Sequence, residues 1–436
     1  MNVWILKTGE PLPVDGPDVR LLRSGSFATY LASRDCAVVW WAGTFDHVSK
    51  RQRKFPESSV QLCPNFQLWL IKSPGYKRHI SIERQRDHQQ VADRFSELSE
   101  FETKPDIIHC AYPTIDLSLA AVEYGRKHEV PVILDVRDLW PDLFLDIFPR
   151  PLRAIARILL RRAFNRAGDA LAGAYAISGQ SPGFVQFGLH HAMRSRGPYD
   201  RHFPFTYDVK APEPGKLATA TQFCTGHNIC EKDGWFNICF FGNMAGEGLH
   251  HDYETPIKAV THLAARGFRI RLLFCGMGSG ADQMRKRFAD SKNVVLLGWV
   301  DRTTLWKIMT ISHLGLIPYK PSDDFAISLP NKSIEYLAGG LPVLTSLNRG
   351  YLFELFGGEN CGVFYESGDV QGLALKLQVL IESPRRLNVL AKNSQRFFER
   401  EFSPEHVYGG MEQHLREVVD AYRMSKTSRG KEGGGR

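Results

Sequence analysis

Several things are missing from this chain of 436 residues, and each absence narrows what it can be. No apolar run approaches the roughly 20 residues that a membrane-crossing helix needs. The start, Met1-Asn2-Val3-Trp4-Ile5-Leu6, is too short for a signal peptide and has no basic segment before it, so a cytoplasmic protein is expected. The eight cysteines are scattered and form no CxxC pair. Cys224, His227 and Cys230 lack a nearby fourth ligand, so they read as a loop, and no metal is expected. Repeats and heptads are absent. No Ser-His-Asp or Cys-His catalytic order can be read along the chain.

What is present is an ordinary globular composition, 43% hydrophobic and 23% charged, with a net charge of +8. That excess suits a nucleotide, a nucleic acid or an anionic membrane surface. Short β-rich apolar runs alternate with helical stretches, the pattern of doubly wound parallel sheets. In the first half strands are expected at Val3–Lys7, Ala37–Ala42, Ile107–Ala111, Pro131–Val136 and Leu171–Ile177, with helices at Asp87–Glu102 and Leu117–His128. A second series has strands at Asn237–Phe241, Arg269–Cys275, Val294–Leu297, Leu314–Pro318, Leu341–Thr345 and Gly362–Tyr365. The expected organisation is an α/β domain over 1–205, a linker or long loop over 206–234, a second α/β domain over 235–403, a helix over 404–424 and a disordered tail over 425–436. Two Rossmann-like halves imply ligands beyond the carboxyl ends of their strands, facing a cleft.

The most informative stretch is Ser328-Leu329-Pro330-Asn331-Lys332-Ser333-Ile334-Glu335, followed by Tyr336 to Thr345. Asn331 reads as an N-cap. Lys332 in the first turn opposes the helix dipole, a penalty that a bound anion reverses. A carboxylate one turn on, Glu335, suits ribose hydroxyls. The alternative is an exposed helix with an i,i+3 ion pair. Two glycine-rich loops follow strands of the same half: Gly242-Asn243-Met244-Ala245-Gly246-Glu247-Gly248, and Gly276-Met277-Gly278. Either lets backbone approach a phosphate or simply turns the chain.

The first half offers Asp135-Val136-Arg137-Asp138-Leu139-Trp140-Pro141-Asp142 at a strand end, placed for chemistry or for acidic capping. His109 closes another strand and reads equally as a core histidine. Gly9 and Gly16 flank the loop after the first strand. Arg150, Arg153, Arg157, Arg161, Arg162 and Arg166 lie in a stretch without acids, with Arg153, Arg157 and Arg161 in an i,i+4 stripe. Leu152, Ile155, Leu159 and Ala163 lie on another face. This is either a helix packed on the first sheet or an amphipathic element for anionic lipid.

The Leu329–Thr345 segment resembles the donor-site helix of GT-B glycosyltransferases, close to the large retaining family numbered four, where many members read SLPNKxxEYLAAGLPV. The resemblance covers most of 1–415 and is looser in the first half. It implies two Rossmann-like domains and metal-independent transfer, without a cofactor, of a hexose-type sugar from a nucleotide-diphosphate donor to an acceptor hydroxyl with retention. Polysaccharide, O-antigen or glycolipid synthesis is the implied setting. Donor contacts fall on Glu335 for ribose, on Lys332, Asn331, Ser328 and Leu329, on Gly242, Asn243 and Gly276 near the diphosphate, and on Val300 near the base. Gly9 and Gly16 match the loop bordering the acceptor and donor phosphates, while Asp138 or His109 stands near the sugar. The implied partners are a nucleotide-diphosphate sugar and a glycan or lipid-linked acceptor, with Arg153, Arg157 and Arg161 touching the inner face of the plasma membrane, and no nucleic acid. The chain departs from the pattern at Ile327, where the family has a first glutamate, and after Gly248, where its usual lysine is missing. A nucleotide-sugar epimerase of this fold and a non-catalytic nucleotide-sugar-binding subunit are the alternatives.

Overall fold

A computed structural model of the chain describes all residues except 17–18, 79, 209–211, 232, 245–250 and 434–436, and the side chains of 147, 150 and 428–433 also stay outside it. The chain divides into two compact units, Met1–Pro204 with Tyr408–Arg436, and Phe205–Val407. Each is an α/β unit built on a mainly or wholly parallel sheet.

In the first unit the strands are β1 (Asn2–Leu6), β2 (Ala37–Gly43), the short pair β3 (Phe45–Asp46) and β4 (Arg51–Gln52), β5 (Ser58–Cys63), β6 (Phe66–Ile71), β7 (Ile107–Tyr112), β8 (Val132–Val136), β9 (Ala176–Gly179) and β10 (Arg201–His202). The main sheet runs β10-β9-β8-β7-β1-β2-β6-β5. Central strands β7 and β8 are buried throughout, as expected when helices cover both faces of parallel strands. Strand β5 instead alternates half-buried with exposed residues and pairs antiparallel with β6. Its polar alternation is why β5 has no apolar run to betray it in the sequence, although its partner β6, Phe66-Gln67-Leu68-Trp69-Leu70-Ile71, has one.

The helices are α1 (Arg23–Ala32), α2 (Ile82–Leu98), α3 (Ile115–His128), α4 (Arg153–Leu159), α5 (Arg161–Gly173) and α6 (Pro182–His191). Leu171–Gly173, expected within a strand, instead completes α5, where alanine favours helix. A Cβ on Gly173 would lie 2.3 Å from Val122 Cγ1, so the helix uses this glycine to pack closely on α3. The helix that follows the second unit is longer than expected. It spans Pro404–Gly433, so the stretch read as a disordered tail is helical up to Gly433. Ion pairs Arg423–Asp106 and Lys426–Glu129 tie its last turns to this unit, while Tyr408 stacks on Phe27 nearer its start.

A buried ion network organises the carboxyl edge of the first sheet. Asp135 on β8 is fully buried, and its carboxylate accepts from Arg23 Nε at 3.1 Å, Arg137 Nε at 2.7 Å and Ser178 Oγ at 2.9 Å. Arg137 also donates to Glu10 Oε1 at 2.7 Å, and Glu10 accepts from the Ser24 amide in the first turn of α1. Burial alone would raise the Asp135 carboxyl, but the two guanidiniums outweigh it and hold the group well below the usual carboxylate range. Asp135→Asn removes the carboxylate that two buried guanidiniums share, leaving Arg23 without this ion pair and Arg137 with Glu10 alone. We expect a loss of about 3 kcal/mol, read as a lower urea midpoint in the fluorescence of buried Trp4, Trp40 and Trp41. An unchanged midpoint would mean the network does not hold the unit.

The second unit has strands β11 (Phe236–Phe241), β12 (Ile270–Cys275), β13 (Val294–Gly298), β14 (Leu314–Ile317), β15 (Val343–Thr345) and β16 (Gly362–Phe364), in the order β13-β12-β11-β14-β15-β16. Its helices are α7 (Pro214–Gly226), α8 (Glu254–Ala265), α9 (Ala281–Arg287), α10 (Arg302–Thr310), α11 (Asp323–Ile327), α12 (Asn331–Ala338), α13 (Tyr351–Gly358), α14 (Val370–Glu382) and α15 (Pro384–Glu401). Helix α7 lies inside the stretch read as a linker. Pro214 sits in its first turn and Cys224 enters the core beside Ile308 and Tyr336.

Candidate functional site

In both sheets the strand order reverses once, between β1 and β7 in the first and between β11 and β14 in the second. Open parallel sheets bind ligands at such switch points, outside the carboxyl ends of the strands.

Helix α12 lies over the second switch point because of Tyr336. The tyrosine is fully buried, and its hydroxyl donates towards Cys239 O on β11 at 3.2 Å and Leu316 O on β14 at 3.1 Å. Gly315 on β14 leaves room for the ring, since a Cβ there would sit 2.2 Å from Tyr336 Cγ. One turn earlier, Lys332 is thereby delivered to the carboxyl edge. Its Nζ lies 4.4 Å from the Phe240 ring centroid and 5.0 Å from that of Tyr319, one ring from each side of the switch point. Burial lowers its pKa to about 8, against an opposing pull from Glu335. Glu335 is buried on the same helix.

The cap differs from expectation. Pro330 is the N-cap and Asn331 the first helical residue, exposed to solvent, because proline's fixed φ of −60° with extended ψ already sets the turn. No side chain caps the helix, so its first amides are left for solvent or a ligand. Leu329 is a core residue, while Ser328 caps α11 and its hydroxyl turns back to Phe325 O at 3.3 Å. These two position the helix start by packing.

The glycine loops are laced to one another. The Gly242 amide donates to Cys275 O at 3.0 Å, the Gly276 amide to Gly298 O at 2.7 Å and the Met244 amide to Met277 O at 2.8 Å. Gly276 has φ +154°, and a Cβ there would come within 1.9 Å of Gly242 O. The glycines at 242 and 276 thus allow backbone to meet backbone, and these two amides are already committed. Gly242 also makes space for the lysine, as a Cβ would lie 2.9 Å from Lys332 Nζ. Asn243 Oδ1 crowds Gly278 in the same way, at 2.5 Å. Val300 is half-buried against the core just before α10. The distal part of the first loop, with Gly246, Glu247 and Gly248, lies outside the described residues.

At the first switch point a pocket of about 220 Å³ opens beyond β1, β2, β6, β7 and β8. Lys7, Gly9, Tyr76, Arg84, Asp138 and Trp140 line it, with His47, Asp87 and His88. Asp138 accepts from the Leu139 amide at 2.9 Å, and burial raises its carboxyl. The Arg84 guanidinium lies 4.3 Å from the Trp140 ring centroid. Burial lowers Lys7, with Glu10 pulling the other way. Of the acidic cluster after β8, only Asp138 faces this pocket. Asp135 belongs to the buried network, and Asp142 pairs with His191 at 2.7 Å. His109 is a core residue packed on Phe27, and burial pushes its pKa down to about 3, so it is neutral. Gly9 reaches the pocket with φ +78°, whereas Gly16 ends a short turn at Pro13–Asp15 with extended backbone and open space around it.

The arginine stripe is divided. Helix α4 ends at Leu159 and α5 begins at Arg161, because the chain leaves helical geometry at Leu160. Arg153 pairs with Asp146 at 2.9 Å, and the Arg157 guanidinium lies 4.6 Å from the Phe164 ring. The apolar face that could have packed on the sheet is exposed instead, with Ile158 at 72% and Leu159 at 75%. The side chain of Arg150 lies outside the described residues. No helix among the described residues is long and apolar enough to cross a membrane, and no three His, Cys, Asp or Glu side chains among them converge to hold a metal ion.

Sequence reasoning missed Lys7, Arg84 and the rings of Phe240 and Tyr319. A charged residue closing an otherwise apolar buried strand was the available signal for Lys7. The rings gave none, because aromatic residues beside a parallel strand read as core.

Residues 236–383 match the model of a family described as Glycosyl transferases group 1. A search of the curated proteins finds no match. Among solved structures, sucrose-phosphate synthase from Thermosynechococcus elongatus superposes with a TM-score of 0.67 at 16% identity, covering 96% of this chain and 99% of its own. HepE from Anabaena, in a complex with UDP and glucose, gives 0.62 at 14% over 95% and 99%. WaaG, a glycosyltransferase involved in lipopolysaccharide biosynthesis, gives 0.58 at 15% over 97% and 99%. The fold is that of the GT-B glycosyltransferases.

Removing the space under Tyr336 tests how the site is built. Gly315→Ala forces the ring off β14, and we expect a loss of about 1–3 kcal/mol together with a weaker seat for Lys332. Unchanged thermal unfolding would show that the ring can move without cost.

Proposed function

We infer, for a chain whose C-terminal unit is a group 1 glycosyl transferase domain, that the protein moves a hexose-type sugar from a nucleotide-diphosphate donor to an acceptor hydroxyl with retention. The observation that carries this reading is Lys332, held between Phe240 and Tyr319 at the uncapped start of α12. A cation and free amides at a helix N-terminus suit a diphosphate. Glu335 takes the ribose, and Val300 lies towards the base. As the glycosidic bond breaks, charge grows on the leaving diphosphate, and preorganised donors lower that barrier most. Lys332 meets that charge in place of a metal ion. Asp138, whose carboxyl is raised by burial, orients the acceptor hydroxyl in the first unit. His109, neutral in the core, supports the strand beneath.

The charge state of Lys332 gives a test with a sign. With a pKa of about 8 in the free protein, the lysine loses its proton above that pH, and diphosphate binding must restore it. We expect affinity for the best of UDP, ADP and GDP to fall by up to about tenfold per pH unit above 8. Lys332→Met should flatten that profile, and Glu335→Ala should weaken binding and move the profile to lower pH, because it removes the carboxylate that raises Lys332. Isothermal titration reads all three, and a flat wild-type profile would take Lys332 out of the site.

The acceptor is a glycan or lipid-linked saccharide used at an anionic membrane surface. The exposed apolar face of α4, with Leu152, Ile155, Ile158 and Leu159 beside Arg153, Arg157 and Arg161, supports this. Apolar residues enter the interface while arginines meet lipid phosphates. Replacing Ile158 and Leu159 with serine, or the three arginines with glutamate, should each cut sedimentation with phosphatidylglycerol vesicles several-fold and leave neutral vesicles unbound. Unchanged sedimentation would separate the enzyme from the membrane.

A further inference from the structure

The pocket at the first switch point contains a cation that no described residue holds by a hydrogen bond or ion pair, although the carboxylates of Glu10 and Asp138 attract it from farther off. Lys7 follows β1, lines the pocket and is half-buried. Its ammonium makes no hydrogen bond or ion pair with any described residue. Polar groups taken out of water are almost always matched, and a charge most of all. Two carboxylates line the same pocket, yet each is held by its own loop. Asp87 accepts from Ser73 Oγ at 2.5 Å and the Gly75 amide at 2.7 Å. Asp138 accepts from the Leu139 amide. A second cation lines the same space, Arg84, with its guanidinium 4.3 Å from the Trp140 ring centroid and 5.4 Å from that of Tyr76. Lys50 stands 4.7 Å from the Tyr76 ring centroid.

We propose that this pocket takes the saccharide acceptor by an anionic group, a phosphate ester or a carboxylate, seated against Lys7 and Arg84. The proposal rests on the assignment of the first unit to the acceptor. A neutral hydroxyl can accept a hydrogen bond from the ammonium but leaves its charge unmatched, whereas an oxyanion matches it and gains charge-assisted bonds. Space is limited too. About 220 Å³ is below the roughly 300–1,000 Å³ of pockets that enclose a whole drug-sized ligand. It seats one ring or one charged group, and a longer acceptor continues outside.

The test uses the full chain and four probes: glucose, glucuronic acid, glucose 1-phosphate and inorganic phosphate. Binding is measured by titration calorimetry at low salt, with UDP titrated into the same preparations. At least one anionic sugar should bind about tenfold or more tighter than glucose, and the preference should shrink as salt is added. Lys7→Met should remove most of that preference and leave UDP affinity unchanged. Arg84→Gln, on the pocket wall, should reduce the preference as well, so the test stands even where Lys7→Met folds poorly. Equal binding of glucose and both anionic sugars by the wild type would overturn the proposal. So would a Lys7→Met variant that loses UDP affinity as strongly as sugar affinity, since the lysine would then serve the donor. Failure of the wild type to bind any nucleoside diphosphate would instead sink the transferase reading and leave the sugar titrations to decide this one. Comparing glucose 1-phosphate with a polyprenyl-phosphate glucose in detergent micelles tells the source of the anion. Tighter binding of the lipid form assigns it to a lipid carrier, and tighter binding of the free ester to a soluble acceptor.

Discussion

In a parallel sheet every strand ends on the same edge, and where the strand order reverses, neighbouring connections leave in opposite directions. The chain cannot fill the gap this opens, and much of this molecule's chemistry follows from that constraint. Each unit has one such reversal, and each places a lysine there: Lys7 at the first and Lys332 at the second. Both lysines are half-buried and both have their pKa lowered by burial. A protein holds a charge in such a place at a cost, and a ligand of opposite charge offsets it.

The two lysines are held by different means. Lys332 depends on steric fit, through Tyr336 over Gly315 and the glycine-laced turns after β11 and β12, where backbone approaches backbone too closely for any side chain. Lys7 sits beside an electrostatic frame, where Asp135, Arg137, Arg23 and Glu10 fix the loop after β1 to the start of α1 and to β8 and β9. The charged residues after β8 therefore divide their duties. Asp135 and Arg137 build the frame, and Asp138 alone looks into the pocket.

The same division explains how α4 supports the functional reading. The short helix ends before Leu160, and its apolar residues Ile155, Ile158 and Leu159 face outward rather than onto the sheet. Trp140 and Phe144, 4.8 Å apart, connect the pocket wall to the segment that leads into that helix. The wall of the pocket and the exposed apolar face of α4 thus belong to one continuous stretch of chain.

Much of the fold was legible in the sequence, because buried parallel strands must be apolar runs and the helices between them must show a helical period. The start of α12 was legible too, since a lysine in a first turn is locally unfavourable and so asks for a ligand. The sequence by itself determined two α/β units, the order of their main strands and the Lys332–Glu335 pair. It could not show that Gly242 and Gly276 spend their amides on the ends of the neighbouring strands β12 and β13, that His109 is a neutral core residue, or that the Lys7 ammonium has no ion pair among the described residues. Those facts depend on which side chains meet across strands distant in sequence. Local pattern records burial and period, whereas pairing, vacancy and charge balance exist only once the sheet has brought the strand ends together.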